Sequence, residues 1–477
     1  MGNKHTLSDL YQMQAMPLSA KIRMTKYRID QFVDKYGEDG VYLSFSAGKD
    51  STVLGYIIRE VCGYKNIPFV FVDVPTQYPE LKQFAMTFDN LVILKPKISF
   101  SEVCKRYGFP LISKEVSESV YGAKKYLTEI IDQIEFDRQT DRQQPHYKYF
   151  YEKITGTGKY SKFSDAPSNN GLILEEHLKA IRGGTIKSIV ESEELANLLN
   201  SRMKSKAGGS NRRLAIMIGM LTTDKENPIK ANVTSKEKSS FSQEKYKFML
   251  KSPFDISNKC CTVMKKKPLH EYHRKTGRNP ITATMASESK LRTQKWLQNG
   301  CNGFDLKIPT SNPMSFWTEQ DVLLYIKLYG KDIVKRKINN SRDVMFYGNR
   351  IVDRKTGKTI EEQEFYNPIC SVYGDVAIDY DAEGSVDGQM DLSDLSADYG
   401  LFDTGNRPLK TTGCSRTGCV LCGFGCHLEK PGEGRFERLK ETHPGMYKLL
   451  DVIKNNGFTY REAIDWINEH GNMNIRY

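Results

Sequence analysis

Within six residues, Ser46-Ala47-Gly48-Lys49-Asp50-Ser51 presents two hydroxyls, a glycine, a cation and a carboxylate. Successive backbone N–H groups in such a loop, with the Ser46 and Ser51 hydroxyls, form a cradle for phosphate or pyrophosphate. Lys49 supplies positive charge where negative charge develops as an α–β phosphate bond breaks. Asp50 is a ligand for Mg²⁺, which prefers carboxylate and phosphate oxygens, or simply a cap for the helix that follows. The spacing is not that of a Walker A loop, which needs Gly-x-x-x-x-Gly-Lys-Ser/Thr. Farther along, Arg292 follows Glu288-Ser289 at the start of an apparent helix. It is either a second phosphate clamp or the partner of Glu288 across one helical turn.

Cysteine is the other reactive residue type. Ten cysteines in a chain expected in the cytoplasm point to metal or redox chemistry in place of a disulfide scaffold. Cys62, Cys104, Cys301 and Cys370 are isolated and read as core residues. Cys260-Cys261 is a tandem pair, and Cys414, Cys419, Cys422 and Cys426 are clustered, with Cys419 and Cys422 in a C-x-x-C. Three readings stand. Cys414, Cys419, Cys422 and Cys426 or His427 suit a local zinc site. Cys260, Cys261, Cys419 and Cys422 suit a [4Fe–4S] cluster, because adjacent cysteines reach two irons of a cube more easily than one tetrahedral ion. Cys260-Cys261 is otherwise a buried, inert pair.

The elements that position these groups are partly visible. Val41-Tyr42-Leu43-Ser44-Phe45 predicts a strand into the loop, and Thr52 to Ile58 a helix out of it. Phe69-Val70-Phe71-Val72 predicts a second strand, ending at Asp73. Phe436 to Leu439 and Tyr447 to Lys454 show helical spacing, and no internal repeat is visible.

Ser-x-Gly-Lys-Asp-Ser resembles the PP-loop of ATP pyrophosphatases and of phosphoadenosine phosphosulfate (PAPS) reductases. Cys260-Cys261-Thr262-Val263-Met264-Lys265-Lys266-Lys267-Pro268-Leu269 is similar to the Cys-Cys-x-x-x-Lys-x-x-Pro-Leu segment of adenylylsulfate reductases. In those enzymes the pair joins a later C-x-x-C around a [4Fe–4S] cluster. Thr284 to Arg292 resembles the family's nucleotide loop, keeping Glu288, Ser289 and Arg292 but placing Ala283 and Met285 where Gly and Arg belong. Pro313 to Val322 is similar to its Pro-x-x-x-Trp-x-x-x-Asp-Val helix cap, and Asp73 with Tyr78-Pro79-Glu80 falls where the family has a second nucleotide-contacting loop. The resemblance implies an α/β fold, a doubly wound, mostly parallel sheet with a large helical insertion and a cysteine-rich C-terminal module. It implies nucleotide contacts at Ser44, Ser46, Gly48, Lys49, Asp50, Ser51, Asp73, Glu288, Ser289 and Arg292, with metal ligands at Cys260, Cys261, Cys419 and Cys422. The corresponding segments are 1–121 and 246–330 for the core, 122–245 for a basic helical insertion, 331–410 for an acidic insertion of short strands and turns, and 411–477 for the C-x-x-C module and C-terminal helices.

One departure shapes the expected activity. The family's sulfonucleotide reductases use a nucleophilic cysteine in a C-terminal tail, whereas this chain has none after Cys426. The PP-loop-plus-cluster proteins of DNA phosphorothioation are the better resemblance. That branch implies ATP-driven activation of an acceptor with Mg²⁺, followed by sulfur transfer from a partner such as a cysteine desulfurase. Lys49 and Asp50 would be catalytic, and Cys414 or Cys426 would carry a persulfide as an activated thiolate. The alternatives are a sulfate-assimilation reductase using PAPS or adenylylsulfate, and a nucleotide-gated nucleic-acid-binding module in a defence or mobile-element complex.

At 477 residues the chain exceeds a single comfortable core. No apolar run approaches the length of a membrane span, and the N-terminus lacks an apolar leader, so no membrane association and a cytoplasmic location are expected. The net charge of +12 is concentrated. Between residues 196 and 295 there are 22 Lys/Arg against 7 Asp/Glu, while between 341 and 410 the balance reverses to 7 against 14. Lys204, Lys206, Arg212, Arg213, Lys265, Lys266 and Lys267 are the candidate surface for nucleic acid or another anion, or a solvated face.

Overall fold

Val41, Tyr42, Leu43 and Phe45 are each at most 2% exposed, as is required of a strand covered on both faces. In a computed structural model they form β1 (Val41–Phe45) at the middle of a six-stranded sheet. The other strands are β2 (Phe69–Val72), β3 (Leu91–Leu94), β5 (Asn279–Ile281), β6 (Asn302–Gly303) and β7 (Thr310–Ser311). Their order is β3-β2-β1-β5-β7-β6. All pairings are parallel except β6 with β7. Leu43 lies opposite Phe69 on one side and Ile281 on the other. The α/β class and mostly parallel sheet expected from the sequence are therefore present.

The structure describes residues 3–125, 209–339, 368–380, 407–432 and 434–477, with short pieces at 196, 199–200, 344–347, 350–353, 357 and 359–360. Most of the expected helical insertion at 122–245, Lys204 and Lys206 included, lies outside the described residues. Within 331–410, strands Val344–Tyr347 and Arg350–Asp353 pair antiparallel.

The chain divides into two interleaved units. The first comprises Met1–Lys97 and Met264–Cys419, and holds the six-stranded sheet. Its long helix α1 (Leu18–Tyr36) buries Leu18, Lys21, Thr25, Ile29, Phe32 and Val33, the three- and four-residue spacing of one helical stripe. Helix α2 (Lys49–Tyr56) packs on β1 and is approached by α5 (Glu319–Asn339). Two further helices, α3 (Lys267–Thr276) and α4 (Lys290–Asn299), flank β5 in sequence.

The second unit comprises Ile98–Val263 and Val420–Tyr477. Here β4 (Leu111–Ile112) pairs in parallel with Gly423–Phe424. Tyr460 is fully buried and stacks on Phe109 with ring centroids 4.8 Å apart. Its hydroxyl donates to the Pro110 carbonyl at 3.0 Å and accepts the Gly423 N–H at 3.1 Å. Asn455, also buried, accepts the Asp255 N–H at 2.7 Å and donates to the Cys104 carbonyl at 2.9 Å. Such satisfied polar groups tie distant loops together without leaving orphaned atoms. Among the described residues no helix is long and apolar enough to cross a membrane.

Candidate functional site

In the first unit the chain runs to β2 on one side of β1 and to β5 on the other, so the strand order reverses at β1 and β5. Loops leaving the carboxyl ends of two such strands diverge and open a crevice, the usual ligand position in open α/β sheets. The loop Ser46–Gly48 leaves β1 there, and Thr282 to Ser289 follows β5.

The first loop is held largely by its own atoms. The Ser51 hydroxyl donates to the Gly48 carbonyl at 3.0 Å and accepts the Ser46 N–H at 3.2 Å. The Ser46 hydroxyl lies 3.0 Å from that of Ser51 and accepts the Gly48 N–H at 3.3 Å. Ala47 has φ +57°, the left-handed region that costs a residue with a Cβ about 1 kcal/mol or more. A side chain on Gly48 would come within 3.2–3.4 Å of the Ser46, Tyr373 and Thr417 hydroxyls.

Lys49 opens α2 and is only 4% exposed. Its Nζ lies 2.8 Å from a Glu319 carboxylate oxygen, 4.0 Å from Asp50 and 3.1 Å from the Ser415 carbonyl, which accepts its proton. Burial alone would lower its pKa, but the charges of Asp50 and Glu319 more than offset that and leave it raised. Lys49 is therefore a cation across the physiological range. Asp50 has its carboxyl pushed above the usual range by burial, with Glu319 adding to the effect and Lys49 and Arg416 opposing it. One Asp50 oxygen is buried without a hydrogen-bond partner.

The second loop folds around its own acidic residue. Glu288 accepts the Met285 N–H at 3.0 Å and pairs with Arg292. Ser289 caps α4, its hydroxyl accepting the Arg292 N–H at 3.3 Å. The one-turn pairing of Arg292 with Glu288, one of the two roles weighed for this arginine, is present. Burial lowers the Arg292 pKa, and the charges of Asp50 and Arg416 act on it in opposite directions. Three cationic groups (Lys49, Arg292, Arg416) and three carboxylates (Asp50, Glu288, Glu319) thus share this region.

Other expected residues have more ordinary surroundings. Ser44 lies within β1 opposite Val70, half-buried. Asp73 follows β2 and pairs with Lys82 at 2.8 Å. Glu319, Tyr373, Ser415, Arg416 and Thr417, not among the expected site residues, line the Lys49 environment. Glu319 lies in the first turn of α5, where an acidic side chain is favoured by the helix dipole and so carries no functional signal of its own. Tyr373 ends a three-residue helical turn, Ser371–Tyr373, and Thr417 sits in an irregular segment, neither with a periodicity to mark it.

None of the ten cysteines is in a disulfide. Cys419 is the last residue of the first unit, while Cys260, Cys261, Cys422 and Cys426 belong to the second. Cys260, Cys261, Cys419 and Cys422 are half-buried. Among the described residues, no three or more His, Cys, Asp or Glu side chains form a group that could hold a metal ion. Cys426 is 1% exposed, its Sγ donates to the Cys422 carbonyl at 3.4 Å, and burial drives its pKa far up. These surroundings disfavour the thiolate form of Cys426.

The basic residues also divide. Arg213 pairs with Glu118 in the second unit, where Arg212 is exposed. In the first unit, Lys265 and Lys266 end a π-helical turn, Cys261–Lys266, and Lys267 opens α3. No protein-family model matches the chain, and no curated protein or solved structure matches it significantly.

Proposed function

We propose that the first unit binds an adenine nucleotide by its phosphates beside β1 and β5, and that the chain is a PAPS reductase-like PP-loop enzyme. The single observation carrying this reading is that the Ser46–Ser51 loop leaves a central parallel strand where the strand order reverses. Lys49, held charged by Asp50 and Glu319, would stabilise the α-phosphate as its bond to pyrophosphate breaks. Asp50, with a buried oxygen lacking a hydrogen-bond partner, is the candidate Mg²⁺ ligand. Arg292 would have to exchange Glu288 for phosphate. The doubly wound PP-loop fold and a cytoplasmic setting belong to the same proposal.

The activated acceptor would then take sulfur supplied by a partner such as a cysteine desulfurase. A [4Fe–4S] cluster on Cys260, Cys261, Cys419 and Cys422 is supported by donor type and sequence pattern. When bound it would supply a redox-active, sulfur-binding centre. Nucleic acid is the proposed acceptor class, on the strength of the basic residues between 196 and 295.

Titration calorimetry with ATP–Mg²⁺, PAPS and AMP, paired with a pyrophosphate-release assay, tests the nucleotide reading. ATP should bind and release pyrophosphate, and Lys49→Ala should weaken ATP binding about tenfold or more, the value of a charge-assisted contact. Preference for PAPS would favour a reductase. Equal ATP and AMP affinity without pyrophosphate release would favour a binding module. Anaerobic iron and acid-labile sulfide analysis tests the cluster, and stoichiometric zinc would exclude it.

A further inference from the structure

Three backbone donors of the Ser46–Ser51 loop, the Ser46, Gly48 and Lys49 N–H groups, are already engaged. Beyond the loop's internal hydrogen bonds, the Lys49 N–H donates to the Tyr373 hydroxyl at 3.1 Å. That hydroxyl also bonds to Thr417 Oγ1, and Lys49 Nζ sits 5.7 Å above the Tyr373 ring. The Ser415 carbonyl and Glu319 take the Lys49 ammonium. A Cβ on Gly48 would meet the loop's own Ser46 hydroxyl at 3.2 Å and the Tyr373 and Thr417 hydroxyls at 3.3 and 3.4 Å. A phosphate oxygen that accepts the Lys49 N–H has to displace the Tyr373 hydroxyl, which is tied to Thr417.

Tyr373 precedes the first strand and Thr417 follows the second strand of one antiparallel pair, termed the hairpin. Strands Val376–Ile378 and Leu409–Thr411 pair antiparallel, and the ladder continues through Thr412 N–H to Asp375 O at 2.9 Å, Gly413 N–H to Tyr373 O at 2.9 Å and Cys414 N–H to Val372 O at 2.8 Å. α5 packs against both strands, and in its first turn the Gln320 side chain ties down the backbone of the second. Gln320 donates to the Leu409 carbonyl at 3.0 Å and accepts the Leu409 N–H at 2.7 Å. Gln320 adjoins Glu319, so one helix end holds both the hairpin and the Lys49 ammonium.

We propose that this hairpin is an autoinhibitory plug, with Tyr373, Ser415 and Thr417 occupying the phosphate cradle until a nucleotide's phosphates displace them. The inference depends on the phosphate-binding reading of the same loop. Removing the plug's hydrogen bonds raises the fraction of molecules with an open cradle, and apparent affinity rises by that factor.

The test compares pyrophosphate–Mg²⁺ and ATP–Mg²⁺ binding by the wild-type chain, Tyr373→Phe/Thr417→Val and Gln320→Ala. The double variant removes the plugging hydroxyls while keeping both side chains' bulk, and Gln320→Ala loosens the hairpin without touching the cradle. Both should bind about three- to tenfold more tightly, as expected for loss of one or two hydrogen bonds from the closed state. Hydrogen exchange at the Leu409 amide should rise when nucleotide is added. Unchanged or weaker binding by both variants, with the wild type binding normally, overturns the plug and leaves the site reading intact. Weaker binding by the double variant alone would make the hydroxyls phosphate ligands and also overturn it. Absence of binding in all three proteins overturns the site reading itself.

Discussion

Asp50 shows how one residue can record the demands of a site. Burial holds its carboxyl above the usual carboxylate range and Glu319 pushes the same way, against Lys49 and Arg416. In the unfolded chain it ionises near the ordinary value, about 3.9. Between that value and the raised folded one, the unfolded state binds fewer protons, so stability falls as pH rises through the window. The contribution is fully present below the ordinary value. Asp50→Asn should therefore melt at a higher temperature than the wild-type chain at pH 7, by a few degrees, with the gap closing toward about pH 4. Parallel melting curves across that range would show that ionised Asp50 is not strained. A stabilising substitution that removes a proposed Mg²⁺ ligand is the expected exchange of stability for function.

Packing at the level of elements explains what the sequence could and could not convey. β1 and β2 were legible to the residue because both are covered on two faces, which makes their sequences continuous apolar runs. The Pro313 to Val322 segment also behaves as its pattern implies. The Thr318 N–H and hydroxyl donate to Asp321 at 2.7 and 2.8 Å as α5 begins. By contrast β6 and β7 are two residues each, too short to carry a period. α5 runs on to Asn339, past the expected boundary at 330, because no glycine or proline stops it after Gly330. Tyr373 and Thr417 are brought to Lys49 by the pairing of 376–378, inside the acidic stretch, with 409–411 at its end, a pairing no local pattern announces.

Gly55 was readable only as a weak spot in a helix, yet α2 meets the sheet there. A Cβ on it would lie 2.7 Å from the Phe69 ring. Gly55→Ala should thus destabilise the first unit by about 1–2 kcal/mol despite alanine's better helix propensity, because overpacking outweighs it. Urea unfolding followed through the first unit's tryptophans would measure it, and a stabilised variant would mean that Phe69 can move aside.

At the scale of the whole chain, each unit is assembled from sequence-distant pieces, so long-range pairs carry the first unit's integrity. β1 pairs with β2, some thirty residues on, and with β5, beyond the first of the two segments that build the second unit. Lys21 and Asp321 bridge 300 residues from α1 to the first turn of α5, with Nζ 2.7 Å from both carboxylate oxygens. Lys21 is 1% exposed, and burial lowers its pKa against the opposing pull of Asp321. Removing one member of such a pair leaves a buried charge uncompensated, which costs about 3–5 kcal/mol, whereas replacing both can be nearly neutral. Lys21→Met alone should lower the urea midpoint accordingly. Lys21→Met with Asp321→Asn should recover most of the loss, because asparagine keeps an acceptor for the Thr318 N–H without the charge. Equal midpoints for the single and double variants would place the cost in lost packing around Lys21. Recovery would instead show that the α5 end, which also presents Glu319 to Lys49 and Gln320 to the hairpin, is held in place by a charge pair spanning the chain.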